Sequence, residues 1–232
     1  MLVKMTKQPI TNFLKATAAL VVVASLFITP STNAIARDKA VNIATADTKK
    51  FQTAGLEPKV LQMALRTYQR AFAAGRIHKA VITIVDFSKN SIKKRLWVID
   101  LDKNKILYSG LVAHGANSGR LKATNFSNTN KSRQSSLGAF ITQNTYYGKH
   151  GLSLRLQGIS GSLNNHAKAR AIVVHAASYA TPWFAKRMGY LGRSWGCFAL
   201  NPSDSKKVIN EIKDGSLIFA YAPQLNGNKQ FS

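Results

Sequence analysis

Short apolar runs, the first of them rich in Val and Ile, recur along most of this 232-residue chain. Such runs are typical of β-strands, because β-branched side chains suit a pleated, half-buried backbone. They cover residues 80–87, 95–101, 106–113, 137–143, 152–157, 171–177 and 216–222. The polar residues 102–105 join the second run to the third as a hairpin. We therefore predict a mainly β fold with peripheral helices, of the α+β class.

The first predicted helix precedes all of these strands. Apolar residues recur every three or four positions between residues 56 and 74, which is the spacing of an amphipathic helix. Pro58 suits the first turn of a helix, and Gly75 suits its end. The pattern predicts an N-terminal helix over 56–75, whose apolar side packs on the rest of the domain.

The remaining sequence sets the expected limits of the domain. Two shorter helices are predicted over residues 181–188 and 201–213, and each has a proline at its first position. Residues 115–136 are rich in Ser, Asn, Lys and Gly and predict a long loop, a kind of segment that is often functional. We expect one domain over residues 56–222, followed by a tail over 223–232.

The N-terminus has the layout of a secretory signal. Three lysines come before or just at the start of an apolar run over residues 16–28, Pro30 follows the run, and Ala34-Ile35-Ala36 resembles a cleavage site. An uncleaved anchor is the alternative, but the run is short beside the ~20 residues that span a bilayer. We expect a signal peptide over 1–36, a polar linker over 37–55, and export to the periplasm or cell wall with no stable membrane span after cleavage.

The charge of the chain is strongly positive, with 33 Lys and Arg against 9 Asp and Glu. Loss of residues 1–36 would leave 30 basic and 9 acidic residues, a net charge of +21. Such a field attracts polyanions, and nucleic acid is the usual partner. An exported protein instead meets anionic cell-envelope polymers, which we expect as partners in place of nucleic acid. The alternative is a basic surface that is only solvated.

The chain has a single cysteine, Cys197, which excludes an intramolecular disulfide. A thiol nucleophile needs a base or electropositive surroundings, access for the substrate, and N–H groups to hold an oxyanion. Gly196 permits a tight turn and Arg193 adds positive charge beside the thiol. A buried, inert cysteine is the alternative, but a setting of Gly and Ser outside a strand interior favours a functional thiol.

Two histidines stand at the ends of predicted strands. His175 ends the apolar run 171–174, so its ring can face a cleft and act as a base. His114 also ends a strand and is a rival base or a substrate contact. No HExxH or CxxC spacing is present, so we expect no metal, and a metal held by His114, His150 and His175 is the alternative. No nucleotide-binding glycine-rich loop follows a strand.

Taken together, these residues resemble the murein L,D-transpeptidase catalytic-domain family, a variant branch of the L,D-transpeptidases. The resemblance spans about residues 55–222 and lies in several blocks. These are residues 114–115 (His-Gly), 126–128 (Phe-Ser-Asn), 135–138 (Ser-Ser-Leu-Gly), 146–156, 170–176 and 192–197 (Gly-Arg-Ser-Trp-Gly-Cys). It implies a mixed β-sheet catalytic domain that acts without a cofactor.

The resemblance also implies roles for individual residues. Cys197 would be the nucleophile and His175 the base, with the Ala176 carbonyl orienting the imidazole. The oxyanion hole would come from the N–H groups of Gly196 and Cys197, with Ser194 as backbone support. The expected substrate contacts are His114, Arg193, Trp195, Tyr147 and Asn128.

The implied function is that of a peptidoglycan L,D-transpeptidase, which crosslinks stem peptides through a cysteine thioester. An L,D-carboxypeptidase, a non-catalytic basic wall-binding protein and an exported cysteine protease are the alternatives. The protease is disfavoured because the histidine precedes the cysteine. The chain departs from the commoner L,D-transpeptidase pattern at two residues. Trp195 stands where His is frequent, and Ala199 stands where Arg or Asn is frequent. Its 22-residue separation of His175 from Cys197 implies a longer lid.

Overall fold

Eight strands form one sheet in the computed structural model, which describes residues 48–231. The strands are β1 Val81–Asp86, β2 Leu96–Asp100, β3 Lys105–Gly110, β4 Gly138–Gly148, β5 Gly151–Gly158, β6 Val173–Ala176, β7 Phe198–Leu200 and β8 Leu217–Tyr221. The helices are α1 Thr48–Thr53, α2 Pro58–Ala73, α3 Pro182–Met188 and α4 Pro202–Ile212. The predicted signal peptide and the first part of the predicted linker lie outside the described residues.

The sheet is mixed, in the order β3-β2-β1-β8-β4-β5-β6-β7. The pairs β1–β8 and β6–β7 are parallel, and the other neighbours are antiparallel. This confirms the predicted α+β class with a mixed sheet. A parallel pair needs a long connection. The connection from β6 to β7 is the segment 177–197, which ends at Cys197.

The centre of the sheet is covered by helices. Every residue of β8 is buried, as are all but the first of β1, and both strands are nearly continuous apolar runs. The buried face of α2 carries its apolar residues, among them Leu61, Leu65 and Tyr68. Full burial of one such side chain stabilises the fold by about 1.5–3 kcal/mol.

The two ends of the domain extend further than the sequence patterns predict. Residues 48–53 of the predicted linker form α1, and Phe51 is completely buried. In the predicted tail Phe231 is also buried, with its ring centroid 5.5 Å from that of Phe219. Parts of the predicted linker and tail therefore pack on the core, because a single buried aromatic residue anchors each polar segment.

The segment between β6 and β7 is compact. A 3₁₀ turn, Ser178–Ala180, leads into α3. The Thr181 hydroxyl accepts a hydrogen bond from the Phe184 N–H at 3.2 Å and caps the helix. Gly189, with φ of 74°, ends it in the left-handed region. Across residues 48–231, no helix is long and apolar enough to cross a bilayer.

Candidate active site

His175 and Cys197 meet because β6 and β7 run side by side. In the register of this parallel pair, Val174 lies opposite Phe198 and His175 opposite Ala199. Cys197 directly precedes β7. Alternate residues of a strand share a face, so the thiol lies on the same face as Ala199 and His175. Both side chains line one cavity.

The cavity has a volume of about 560 Å³ and is positively charged. Its charged side chains are Lys149, Arg170 and Arg193, and no carboxylate lines it within the described part of the chain. The other lining residues are Tyr146, Gly148, His150, Ser153, Ala171, Val173, His175, Tyr179, Ser194, Trp195 and Cys197. A cleft with these walls concentrates anionic ligands.

The Cys197 thiol is half-buried and donates a long hydrogen bond, 3.6 Å, from Sγ to the Ala171 carbonyl. Burial raises the pKa of the thiol, whereas the Val173 N–H, Arg170 and Lys149 act to lower it. The net shift is upward, so the resting group is a thiol. It needs a base before it can attack a carbonyl.

The His175 imidazole is oriented by its own strand. Its Nδ1 lies 2.8 Å from the Ala176 carbonyl oxygen, which can only accept, so Nδ1 carries the proton and Nε2 has the free lone pair. Burial lowers the pKa of His175, and His150 and Lys149 lower it further, against the Ala176 hydrogen bond. The ring is therefore neutral at pH 7, the form a base requires.

A second histidine covers the first. The His150 ring stacks on that of His175, with centroids 4.3 Å apart and an angle of 26° between planes. His150 and Lys149 form the two-residue turn between β4 and β5, which places both on the cavity. The sequence indicated His150 only as an alternative metal ligand and did not indicate Lys149, although both lie in a block that carries the family resemblance.

The backbone before Cys197 is a tight turn stabilised by Ser194. The Gly196 N–H donates to Ser194 Oγ at 3.1 Å, and that hydroxyl donates to the Cys197 carbonyl at 2.7 Å. Gly196 has φ of 118°, and a Cβ there would lie 2.6 Å from the Gln134 carbonyl oxygen, so only glycine fits. The prediction that the Gly196 N–H serves an oxyanion is not met in this structure, because Ser194 already accepts it.

Arg170 ties the long loop to the site. It donates to the carbonyls of Ser127 and Gln134, each at 2.6 Å, and to the hydroxyls of Ser136 at 2.6 Å and Ser132 at 3.1 Å. Its charge also acts on Cys197. The sequence signal for this residue was only its place at the start of the 170–176 block, so its role was missed.

His114, a predicted substrate contact, does not line the cavity. It is completely buried, and its Nδ1 lies 2.7 Å from Nη2 of the buried Arg95. A guanidinium can only donate, so Nδ1 accepts and Nε2 donates to the Gly119 carbonyl at 3.1 Å. Burial first, and then the charge of Arg95, lower the pKa of His114 to about 4.

The backbone of His114 nevertheless supports the cysteine turn. Its carbonyl accepts from the Ser194 N–H at 2.9 Å, and the Ser194 carbonyl accepts from the Ala116 N–H at 2.7 Å. These bonds form a parallel bridge between Gly115 and Ser194. The His-Gly block therefore holds the residues before Cys197 in place through backbone hydrogen bonds.

Two other predicted substrate contacts lie away from the cavity. Asn128 donates to the Ser162 carbonyl at 3.0 Å and to Asn165 Oδ1 at 2.7 Å, and so links the long loop to a neighbouring turn. Tyr147 is 79% exposed on the outer face of β4. Its neighbour Tyr146 lines the cavity instead, because successive residues of a strand face opposite sides.

Arg193 and Trp195 do line the cavity, as predicted substrate contacts should. Both are exposed, and Trp195 keeps 70% of its surface open to solvent. Within residues 48–231, no group of three or more His, Cys, Asp or Glu side chains is placed to hold a metal ion.

The family of the chain is shown by sequence comparison. The profile of the L,D-transpeptidase catalytic domain matches residues 52–221, so this chain belongs to that family. The match confirms the resemblance found in the sequence. A comparison with curated protein sequences gives no match.

Solved structures that are similar to the chain are also L,D-transpeptidases. One from Mycobacterium smegmatis has 15% identity and a TM-score of 0.39, over 62% of this chain and 59% of that one. L,D-transpeptidase 1 of Mycobacterium tuberculosis has 16% identity and a TM-score of 0.35, over 62% of each chain. One from Stackebrandtia nassauensis has 18% identity and a TM-score of 0.35, over 81% of this chain and 90% of that one. The chain spans about three fifths of the length of the two mycobacterial proteins.

Proposed function

We propose that this protein is a peptidoglycan L,D-transpeptidase in which Cys197 forms a thioester with a tetrapeptide stem. The observation that carries the proposal is the cavity shared by Cys197 and His175, whose charged side chains within the described part of the chain are Lys149, Arg170 and Arg193. The family match supports this type of activity. The chemistry needs only a thiol, a base and oriented N–H groups.

In the first half-reaction His175 acts as base. Its Nε2 takes the Sγ proton, and the thiolate attacks the carbonyl of the third stem residue, a diamino acid. Arg170 and Lys149 stabilise the thiolate by charge, and the Cys197 N–H is the proposed donor to the oxyanion. The C–N bond to the terminal D-Ala then breaks. The proton on Nε2 passes to the leaving amine, and a thioester remains.

In the second half-reaction an amine from a neighbouring stem attacks the thioester. His175 accepts a proton from this amine, the C–S bond breaks, and Sγ recovers a proton from the imidazole. The product is a crosslink between two stems. Water in place of the amine would give a shortened stem and an L,D-carboxypeptidase. The lysine and arginines in the cavity would hold the free carboxylates of the stem peptides.

We further propose that the protein works outside the cytoplasm, in the periplasm or cell wall. The lysines, apolar run and small residues of the first 36 positions support export. The net charge of +21 that remains after their removal supports binding to anionic polymers of the envelope.

Mass spectrometry of muropeptides incubated with the purified protein tests the proposal. Disaccharide tetrapeptides should yield crosslinked dimers with loss of one D-Ala per bond. Tripeptide products alone would show a carboxypeptidase instead. Unchanged substrate with a folded protein would contradict both activities and leave a non-catalytic wall-binding protein. The Cys197→Ala protein is the matched control in each case.

A further inference from the structure

Trp195 forms an exposed aromatic platform at the edge of the cavity. The Arg133 guanidinium lies 4.7 Å from the centroid of the Trp195 ring, yet 70% of the tryptophan is open to solvent. A cation on one face of an indole holds the ring in place at a small free-energy gain. Much of the ring therefore stays available to an apolar surface of a ligand.

Tyr190 carries a similar arrangement beside it. Arg120 lies 4.5 Å from the centroid of the Tyr190 ring and Arg193 lies 5.8 Å from it. Arg193 also donates to the Ala116 carbonyl at 3.3 Å and lines the cavity. The surface thus continues outward from the cavity. We call these five residues the arginine–aromatic rim: Trp195, Arg133, Arg193, Tyr190 and Arg120.

The rim lies in a part of the chain without acidic residues. Residues 103–203 contain thirteen Lys and Arg and no Asp or Glu. Arg133 and Arg120 lie over aromatic rings, and Arg193 lies over Tyr190 and donates to the Ala116 carbonyl. Each guanidinium has five donors in a fixed plane, so one arginine can donate to two oxygen atoms of a ligand at once.

The chemistry of the proposed substrate brings a sugar to this place. The stem peptide is attached to an amino-sugar chain, and its third residue must reach Cys197. Three extended residues span about 10 Å at roughly 3.3–3.6 Å each. The sugar that carries the stem must therefore lie within about 10 Å of the Cys197 thiol, and Trp195 and Arg193 of the rim line the same cavity as that thiol.

We propose that the arginine–aromatic rim binds the amino-sugar chain that carries the stem peptide. An apolar face of a sugar ring stacks on Trp195, and the rim arginines donate to acetamido carbonyls and ring oxygens. This inference rests on the proposed function, because it places the stem in the cavity. It adds a saccharide site to the peptide site.

The first test measures binding without turnover. Sugar chains stripped of their peptides are titrated against the Cys197→Ala protein, and against the same protein carrying Trp195→Ala or Arg133→Gln. We expect each added change to weaken binding at least fivefold, with circular dichroism unchanged. Trp183→Ala is the matched control, since Trp183 is also exposed (64%) and stacked by Arg187 at 5.5 Å but does not line the cavity.

Absence of binding to the stripped chains, or an equal loss in the Trp183→Ala control, would overturn the proposal. Tighter binding of a single-stranded oligonucleotide than of the sugar chain by the same residues would also overturn it. A strong effect of Arg133→Gln that Arg133→Lys restores only in part would support it, because planar donation is then required.

The second test separates this proposal from the proposed function. Turnover is compared between a free tetrapeptide and the same tetrapeptide attached to its disaccharide. We expect Arg133→Gln to lower the ratio of the two kcat/KM values about tenfold. An unchanged ratio would overturn the saccharide site and leave the transpeptidase proposal standing. No turnover of either substrate by the parent protein would contradict the proposed function. The binding titration would still show whether the rim binds the sugar chain.

Discussion

The ring of His150 lies parallel to that of His175, with 4.3 Å between their centroids. This contact buries the proposed base and adds a second titratable ring beside it. Both effects lower the pKa of His175, as does Lys149 from the same turn. The tip of the β4–β5 hairpin thus sets the protonation of the proposed base.

A pH profile tests this relationship. Since acylation requires neutral His175, its rate should rise with pH through a pKa below the ordinary value of about 6.5 and stay high at neutral pH. His150→Ala removes burial of the His175 ring and the electrostatic effect of His150 on it, so the pKa of His175 rises and the acid limb moves to higher pH. Acylation rates from pH 4 to 8 for the two proteins check this. A limb that stays in place would contradict the role of His150.

Removal of the base itself should have a larger effect. We expect His175→Ala to slow acylation at saturating reagent by a factor of about 10²–10⁴. Single-turnover acylation, followed by intact mass, measures the step directly. His114→Ala is the comparison, and a slower acylation step in that variant than in His175→Ala would reverse our assignment of the base.

The thiol of Cys197 should be indispensable. Cys197→Ala should abolish muropeptide turnover and cost about 1 kcal/mol of stability, a typical value for one small substitution. Cys197→Ser keeps the shape but has a much weaker nucleophile, so it should also lack turnover. Activity and thermal unfolding are measured on the same preparations. Turnover by either folded variant would rule out the thioester mechanism.

Carbapenems should label the Cys197 Sγ atom, because the family resemblance implies that these compounds acylate the nucleophile. Intact-mass analysis should show one covalent adduct per chain and none on Cys197→Ala. The chain has only this cysteine, so the assignment needs no peptide mapping. An active preparation that forms no adduct would count against the proposed acyl-enzyme.

His114 should matter for stability more than for catalysis. Its pKa of about 4 in the folded protein is below its unfolded value, so the unfolded state binds the proton more readily. Stability should therefore fall as the pH drops from about 6.5 to 4, by on the order of 3 kcal/mol. Denaturant unfolding at several pH values checks this. His114→Gln should flatten the dependence, and a variant that retains it in full would contradict the assignment.

The family resemblance and much of the fold could be predicted from the residues alone. Short apolar runs mark seven of the eight strands, because apolar, β-branched and aromatic side chains suit a pleated, buried surface. The exception is β7, whose three residues are too few for a pattern. Its strand exists because β6 is available as a parallel neighbour, which is a property of the folded chain.

The sequence by itself determined the fold class, the single thiol and the histidine at the end of a strand, since these depend on local composition and order. Tertiary structure alone decided which other side chains reach the cavity. His114 and His150 both stand in resembling blocks, yet Arg95 holds the first in the core and a hairpin turn sets the second against His175. Such outcomes depend on residues that are distant in the chain and become neighbours only when the sheet closes around them.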